Sequence, residues 1–245
     1  MRVMAKKVHV VIPREHGGWA MLSVPFVSGM FAAKPTLLHI PLFLAWLLLY
    51  MASYPLLQSL KKTKSRSMWL SWGIGYAAAA AVFLVPLLIW NPWLAGFAPV
   101  LIILVLVPVW HVRHKAERAF VNDICAILLF CAGGAAAYML GGGTWGRELL
   151  EVMLYNGLYF TGTVFFVKSV FRERKNKRWT MYSHLYHAIA LLLPLFTLNP
   201  WMCLPFLYPL AKTLIFSGKM VKPMKVGMME IAGSVQFLVF SLILL

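Results

Sequence analysis

Acidic residues are scarce in this sequence, which holds seven aspartates and glutamates among its 245 residues, against 23 lysines and arginines. Charged residues together make up 12% of the chain, whereas a soluble globular domain carries about 25%, so water is the wrong solvent for this chain. Cysteine is also rare. Cys125, Cys131 and Cys203 all fall within apolar runs and none forms a CxxC pair. They are expected to be small core residues rather than a disulfide framework.

Hydrophobic residues are abundant, at 61% of the chain, and they gather into runs of roughly 15 to 22 residues. A helix needs about 20 apolar residues to cross the hydrocarbon layer of a membrane. Transmembrane β-strands would alternate apolar and polar residues, and the run from Leu42 to Met51 is apolar without alternation. The sequence therefore predicts an all-α, polytopic transmembrane helix bundle.

Nine candidate spans fit these runs, although the first and the eighth are short, so a count of eight stays open. They are Gly17 to Ala33, Thr36 to Leu60, Met68 to Ile89, Trp93 to Trp110, Phe120 to Leu140, Val152 to Phe171, Met181 to Leu198, Trp201 to Phe216, and Met228 to Leu245. No linker or low-complexity stretch interrupts them. Residues 1–245 are accordingly expected to form a single integral membrane domain.

The basic residues indicate how the spans are oriented. Alternate loops, at 61–66, 111–118, 172–178 and 219–225, are all basic, while the intervening loops hold only two basic residues, Lys34 and Arg147. Lysine and arginine concentrate in cytoplasmic loops, so the N-terminus and the basic loops are expected on the cytoplasmic side. No nucleic-acid motif accompanies the net charge of +16, and we expect the lipid bilayer, not nucleic acid, to be the partner of this chain.

Two spans are rich in small residues, which let membrane helices approach closely. The third carries Gly73, Gly75 and the run 77–81 of alanines, and the fifth carries Gly133, Gly134 and the run 135–137 of alanines. Both helices are expected to be buried within the bundle, with packing as the simplest reason for the pattern.

Ionisable groups at membrane depth are costly and therefore mark candidate sites. The first cluster is Arg14-Glu15-His16, which Pro13 precedes and two glycines follow. Glu15 needs a cation or a proton, because it lies on the side of the membrane where basic residues prevail. A packing or helix-capping role is the alternative for this cluster.

A second cluster joins Glu117 and Arg118 to Asn122 and Asp123 at the start of the fifth span. Arg118 and Asn122 are four residues apart and so share one helical face. Asp123 falls inside an apolar run, where an ionised carboxylate needs a cation, a hydrogen-bond network or a proton. It is the strongest single candidate, although a structural salt bridge to Lys168 or Arg118 explains it nearly as well.

Further candidates lie near the inner ends of the later spans. They are Lys168, Arg172, His184, His187, Lys212 and Glu230. The histidine pairs lack a third ligand at a known spacing, so no metal site is expected, and no cofactor motif is present. If these helix ends converge, they form a cytoplasm-facing pocket that suits an anionic lipid headgroup or a small anion.

The segments Pro13-Arg14-Glu15-His16-Gly17-Gly18-Trp19 and Glu117-Arg118 to Asn122-Asp123 resemble the YwiC-like family of bacterial membrane proteins. The resemblance extends over the whole chain. It implies a multi-pass protein of the bacterial cytoplasmic membrane, and it supplies no reaction.

The layout of nine helices with polar inner ends is also similar to that of the UbiA-type prenyltransferases, whose aspartate-rich segments hold magnesium and a diphosphate. The corresponding loops here have no acid after the second span and only Glu173 after the sixth, and Ala126 stands where a second aspartate would follow Asp123. Magnesium is usually held by one or two carboxylates together with substrate phosphates, so that chemistry is poorly supported. A lipid or isoprenoid enzyme, a small-solute transporter and a non-catalytic membrane factor that binds a partner through its basic loops all remain open.

Overall fold

The computed structural model describes residues 10–13, 16–61, 65–197 and 199–245, apart from the side chain of His16. Nine α-helices and three short 3-10 segments make up this part of the chain. The helices are α1 (His16–Ala32), α2 (His39–Ser59), α3 (Arg66–Trp90), α4 (Ala98–Arg113), α5 (Phe120–Leu140), α6 (Arg147–Val170), α7 (Lys177–Leu192), α8 (Leu207–Phe216) and α9 (Pro223–Leu244). The 3-10 segments are Pro92–Phe97, Leu193–Phe196 and Pro200–Phe206.

The predicted all-α fold is confirmed, and six of the helices in the described residues are long and apolar enough to cross a membrane. They are α2, α3, α5, α6, α9 and the run Pro92–Arg113 that contains α4. α1 is a shorter apolar helix, and α7 and α8 reach further only through the adjoining 3-10 segments. These features fit an integral membrane protein.

Several helices begin earlier than the apolar runs predicted. α6 begins at Arg147, α7 at Lys177 and α9 at Pro223, because a helix can continue past the hydrocarbon layer with polar side chains in its first turns. The extension of α6 matters for the chemistry, since it moves Glu148 and Glu151 from an expected loop onto a helix.

The described parts of the four basic loops lie together on one side of the bundle, which we call the basic face. Lys61 after α2 contacts Glu117 before α5 at 2.9 Å. The side chain of Lys168, near the end of α6, reaches the carbonyl oxygen of Arg118 at 3.0 Å, and the amide of Gly218 after α8 donates to the carbonyl of Ser169 at 3.2 Å. These contacts tie the loops of the basic face to one another.

The opposite face is joined in the same way. The amide of Lys34 donates to the carbonyl of Gly141 at 3.2 Å, and the rings of Phe97 and Trp145 stack with centroids 6.1 Å apart. Asn199 donates from its side chain to the carbonyl of Leu244.

The core forms where α1 crosses α5 and where α6 packs against α7 and α9. A Cβ atom on Gly29 of α1 would lie 2.1 Å from the carbonyl oxygen of Gly134 on α5, so the two backbones are in direct contact. Tyr159 of α6 stacks on Phe237 of α9 with ring centroids 4.3 Å apart. The expectation that the fifth span is buried is confirmed, since 56% of the 18-residue apolar stretch of α5 is buried.

The same expectation for the third span is wrong. α3 packs along α2, where a Cβ on Gly73 would meet Leu56. Only 17% of the 18-residue apolar stretch of α3 is buried, however. Gly75 has no atom within 4 Å of its ideal Cβ position. Small residues permit a close approach without requiring one, and of those in α3 only Gly73 and Ala80 are buried.

Candidate functional site

The first polar cluster lies on the basic face, where α5 begins beside the end of α6. Lys168 Nζ lies 2.8 Å from Asp123 Oδ2, and the two side chains are 14% and 29% exposed. The carbonyl oxygen of Arg118 accepts from Lys168 at 3.0 Å and from Arg172 at 3.4 Å. The side chain of Asn122 donates to the carbonyl of Glu117 at 2.9 Å. The cluster therefore fixes the short turn between α4 and α5.

An open cavity of about 480 Å³ adjoins this turn and is lined by Lys61, Lys115, Ala116, Glu117, Arg118 and Ala119. Lys115 has a positive φ of 55°, an uncommon conformation for a lysine that sharpens the turn. Glu117 pairs with Lys61. Among the described residues, no acidic side chain pairs with Lys115 or Arg118. Cations thus prevail on the cavity wall.

A second polar cluster lies inside the bundle among α6, α7, α8 and α9. Lys212 of α8 is 3% exposed and its Nζ lies 2.5 Å from Glu230 Oε1 of α9. The same ammonium group lies over the ring of Phe166, 4.5 Å from its centroid, and 5.7 Å from that of Tyr208. Glu230 Oε2 has no hydrogen-bond partner among the described residues. Lysine at this position is enclosed by protein and does not extend to the surface.

Two histidines of α7 flank the interior cluster. His187 is 2% exposed, and its Nδ1 lies 2.7 Å from the carbonyl oxygen of Ser183. That contact makes Nδ1 the protonated nitrogen and leaves the lone pair on Nε2, which has no partner in the described part of the chain. His184 Nε2 lies 3.2 Å from the carbonyl oxygen of Thr213.

Buried hydroxyl groups connect the same helices. Ser183 contacts Thr213 at 2.8 Å, Thr213 contacts Ser217 at 2.7 Å, and Ser217 contacts Ser169 at 2.8 Å. Hydroxyl pairs of this kind hold membrane helices together.

The sequence-predicted site residues thus fall into two groups. Glu117, Arg118, Asn122, Asp123, Lys168 and Arg172 meet at the basic face. Lys212 and Glu230 pair inside the bundle, where His184 contacts the carbonyl of Thr213, the neighbour of Lys212 on α8, and His187 is buried on α7. Arg14 and Glu15 lie outside the described residues, and so does the side chain of His16, whose backbone begins α1. Within the described residues, no group of three or more histidine, cysteine or acidic side chains is placed to hold a metal ion.

Sequence reasoning missed a third polar region, at the opposite face. Glu148 accepts from the hydroxyl of Tyr138 at 2.8 Å, and Glu151 accepts from Tyr155 at 3.1 Å and from Arg147 at 3.1 Å. A cavity of about 180 Å³ adjoins both acids. Residues 148, 151 and 155 have the spacing of one helical face. The sequence prediction begins this helix at Val152, so it places both acids in a loop, where that spacing has no meaning.

Comparison with known proteins assigns the chain to a family. The family model for "YwiC-like protein" matches residues 12–138. A Bacillus subtilis protein named "Uncharacterized protein YwiC" is 37% identical over 228 residues, which cover 93% of this chain and 95% of that protein. The chain belongs to the YwiC-like family. A second relative, an uncharacterized protein of Haemophilus influenzae, is 33% identical over 234 residues, covering 96% of this chain and 98% of that protein.

The match to the YwiC-like model covers α1 to α4 and all but the last two residues of α5, and with them the turn that carries Glu117, Arg118, Asn122 and Asp123. The interior pair Lys212–Glu230 lies beyond the matched residues. No solved structure matches this fold significantly.

Proposed function

We propose that this YwiC-like membrane protein binds an anionic group, a phosphate or a carboxylate, in the cavity of its basic face. The observation that carries the proposal is the cavity itself, about 480 Å³ in volume, whose lining includes Lys61, Lys115 and Arg118 and one acid, Glu117. Because Glu117 is already paired with Lys61, Lys115 and Arg118 are available to a ligand. The basic face is, on this proposal, the cytoplasmic face.

The surroundings of the cavity favour an anion. Lys168 and Arg172 point at the carbonyl oxygen of Arg118 and add positive charge behind the cavity wall, where Asp123 compensates one of them. Ala119, another lining residue, is the N-cap of the 21-residue helix α5 and has no side chain that caps it. The positive end of the helix dipole thus adds to the field of the side chains.

Guanidinium and ammonium groups differ in what they select. Arg118 can bind phosphate or carboxylate through two parallel N–H donors, whereas Lys115 acts as a point charge. This combination suits a terminal phosphate or carboxylate presented from the water or from the headgroup of a lipid. The two sources share one chemistry and differ in whether an acyl chain is attached.

Binding can be measured by the thermal stability of the purified protein in a neutral detergent, with inorganic phosphate and a short-chain phosphatidylglycerol as probes. A ligand that binds only the folded state stabilises it by about 2.7 kcal/mol at 100 times its dissociation constant. The variant Lys115→Gln/Arg118→Gln is expected to weaken the binding at least tenfold, equivalent to about 1.4 kcal/mol. A stabilisation by the lipid alone would identify a headgroup site, and one by phosphate alone a free-anion site.

The matched control is Lys219→Gln with Lys222→Gln, which removes two charges from the basic face without altering the cavity lining. Its binding should equal that of the wild type within about twofold. Equal weakening by both double variants would show that overall charge, and not the cavity, attracts the anion, and would refute the proposed site.

A second candidate function is transport of a small solute, which the eighth span favours. This span consists of a 3-10 segment, Pro200–Phe206, followed by α8, Leu207–Phe216. At rises of about 2.0 and 1.5 Å per residue, the junction lies near the middle of a layer about 30 Å thick. Discontinuous helices that meet polar groups near the midplane are typical of transporters. Uptake of radiolabelled phosphate into proteoliposomes that contain the protein would test it, with protein-free liposomes as the reference.

A further inference from the structure

The Lys212–Glu230 pair has a feature that a purely structural ion pair does not need. Only one carboxylate oxygen of Glu230 is paired with Lys212, and Oε2 is shielded from solvent with no partner among the described groups. A carboxylate oxygen left unpaired in a low-dielectric interior is costly. The arrangement therefore has an open position for a hydrogen-bond donor or a proton.

Two further buried polar groups lie on helices that pack around the pair. The Tyr159 hydroxyl, on α6, interacts with Ser234 of α9, and it lies 2.7 Å from where a Cβ on Gly233 would stand. Gly233 is three residues after Glu230 on α9, so Tyr159 of α6 approaches the face of α9 that carries Glu230. His187 Nε2, on α7, is buried and carries an unpaired lone pair. The charge of Lys212 acts on His187 and that of Glu230 acts on Tyr159, so both groups belong to the surroundings of the pair.

We propose that Glu230 is a proton-exchange site in the interior of the bundle, with Lys212 as its permanent counter-charge. A proton from water, which reaches the Glu230 side chain at its exposed part (18% of the side chain), binds to Oε2 of the carboxylate and forms an O–H bond there. The pair then changes from a net charge of zero to +1, and loss of the proton to water reverses the step. This site is separate from the basic-face cavity and does not depend on the anion binding proposed above.

A proton fits this position better than a metal ion does. Sodium, magnesium and calcium require several oxygen ligands, whereas the open side of Glu230 has one free carboxylate oxygen and the Tyr159 hydroxyl. A proton needs one lone pair and no coordination shell.

Each neighbouring helix contributes the groups that would tune the exchange. Tyr159 approaches from α6, His187 with His184 beside it from α7, and Tyr208 from α8, where its hydroxyl donates to the carbonyl of Met229 at 3.1 Å. The segment 17–32 of α1 has no titratable side chain, and the 3-10 segment before α8 carries only a cysteine, Cys203. No described carboxylate besides Glu230 belongs to this cluster.

Infrared difference spectroscopy of the protein in lipid nanodiscs tests the proposal, because a protonated carboxylic acid has a C=O stretching band that a carboxylate lacks. Acidification within the range where the protein stays folded is expected to produce such a band from Glu230. The band should be missing in Glu230→Gln and intact in Glu173→Gln, a control on the basic-face loop where Glu173 accepts from Asn176. Identical spectra for wild type and Glu230→Gln would overturn the proposal.

A second variant keeps the test decisive if Glu230→Gln does not fold. Tyr159→Phe retains the carboxyl group and removes only the neighbouring hydroxyl. It is expected to shift the frequency of the Glu230 band, because the hydrogen bonding of the protonated acid changes. A spectrum of Tyr159→Phe that coincides with that of the wild type would contradict a proton bound at this position.

Discussion

Replacing Gly134 by alanine is expected to destabilise the protein, whereas the same replacement at Gly75 is not. Both glycines lie in apolar helices with neighbouring small residues, so their local sequences look alike. In the structure, a Cβ on Gly134 would lie 2.5 Å from the carbonyl oxygen of Pro25 and 2.9 Å from its carbonyl carbon. At Gly75 nothing lies within 4 Å.

The magnitude follows from this geometry. Ordinary contacts of a Cβ atom begin near 3.4 Å, so α1 and α5 would have to separate by about 0.9 Å at their crossing. The neighbouring atoms are backbone and cannot rotate away. Such overpacking costs about 1–3 kcal/mol, and the better helix propensity of alanine returns at most about 1 kcal/mol. Gly75→Ala has only the favourable contribution, so the two variants should differ by roughly 2 kcal/mol.

The free energy of unfolding can be measured by titrating the protein in mixed micelles with a denaturing detergent while following tryptophan fluorescence. Gly29→Ala provides an independent check of the same crossing from the other helix, since its Cβ would meet the carbonyl of Gly134. Equal stability of Gly134→Ala and Gly75→Ala would refute the close approach of α1 and α5.

Two further predictions concern the basic face. Asp123→Ala is expected to lower the free energy of unfolding by about 1.5–3 kcal/mol, because it leaves the half-buried Lys168 without its carboxylate. Lys61→Ala, at a more exposed ion pair, should lower it by less than about 1 kcal/mol, and a larger effect of Lys61→Ala than of Asp123→Ala in the same detergent titration would contradict this order. Single cysteines introduced at Lys219 and at Lys34, in a background without the native cysteines, should react with a membrane-impermeant thiol reagent from opposite sides of the membrane. Labelling of both from one side would contradict the proposed orientation.

Sequence patterns predicted much of the fold but less of the candidate site. Length and hydrophobicity were sufficient to predict a bundle of apolar helices, because a chain in a hydrocarbon layer must satisfy its backbone hydrogen bonds within each helix. Charge was sufficient to group Glu117, Arg118, Asn122 and Asp123, which are close in sequence. The pairing of Lys212 with Glu230 was not predictable, since it depends on how α8 and α9 are rotated about their axes.

The sequence by itself therefore determined the all-α fold, the approximate positions of the apolar helices and the basic loops, which are local properties of composition along the chain. The tertiary structure decided which small residues touch, which charges pair and which polar atoms remain open. Gly134 and Gly75 illustrate the difference: the two residues are chemically identical, yet one lies at a helix crossing and the other at the edge of the bundle. Helix packing depends on side-chain fit between segments far apart in sequence, so no pattern within one helix contains that information.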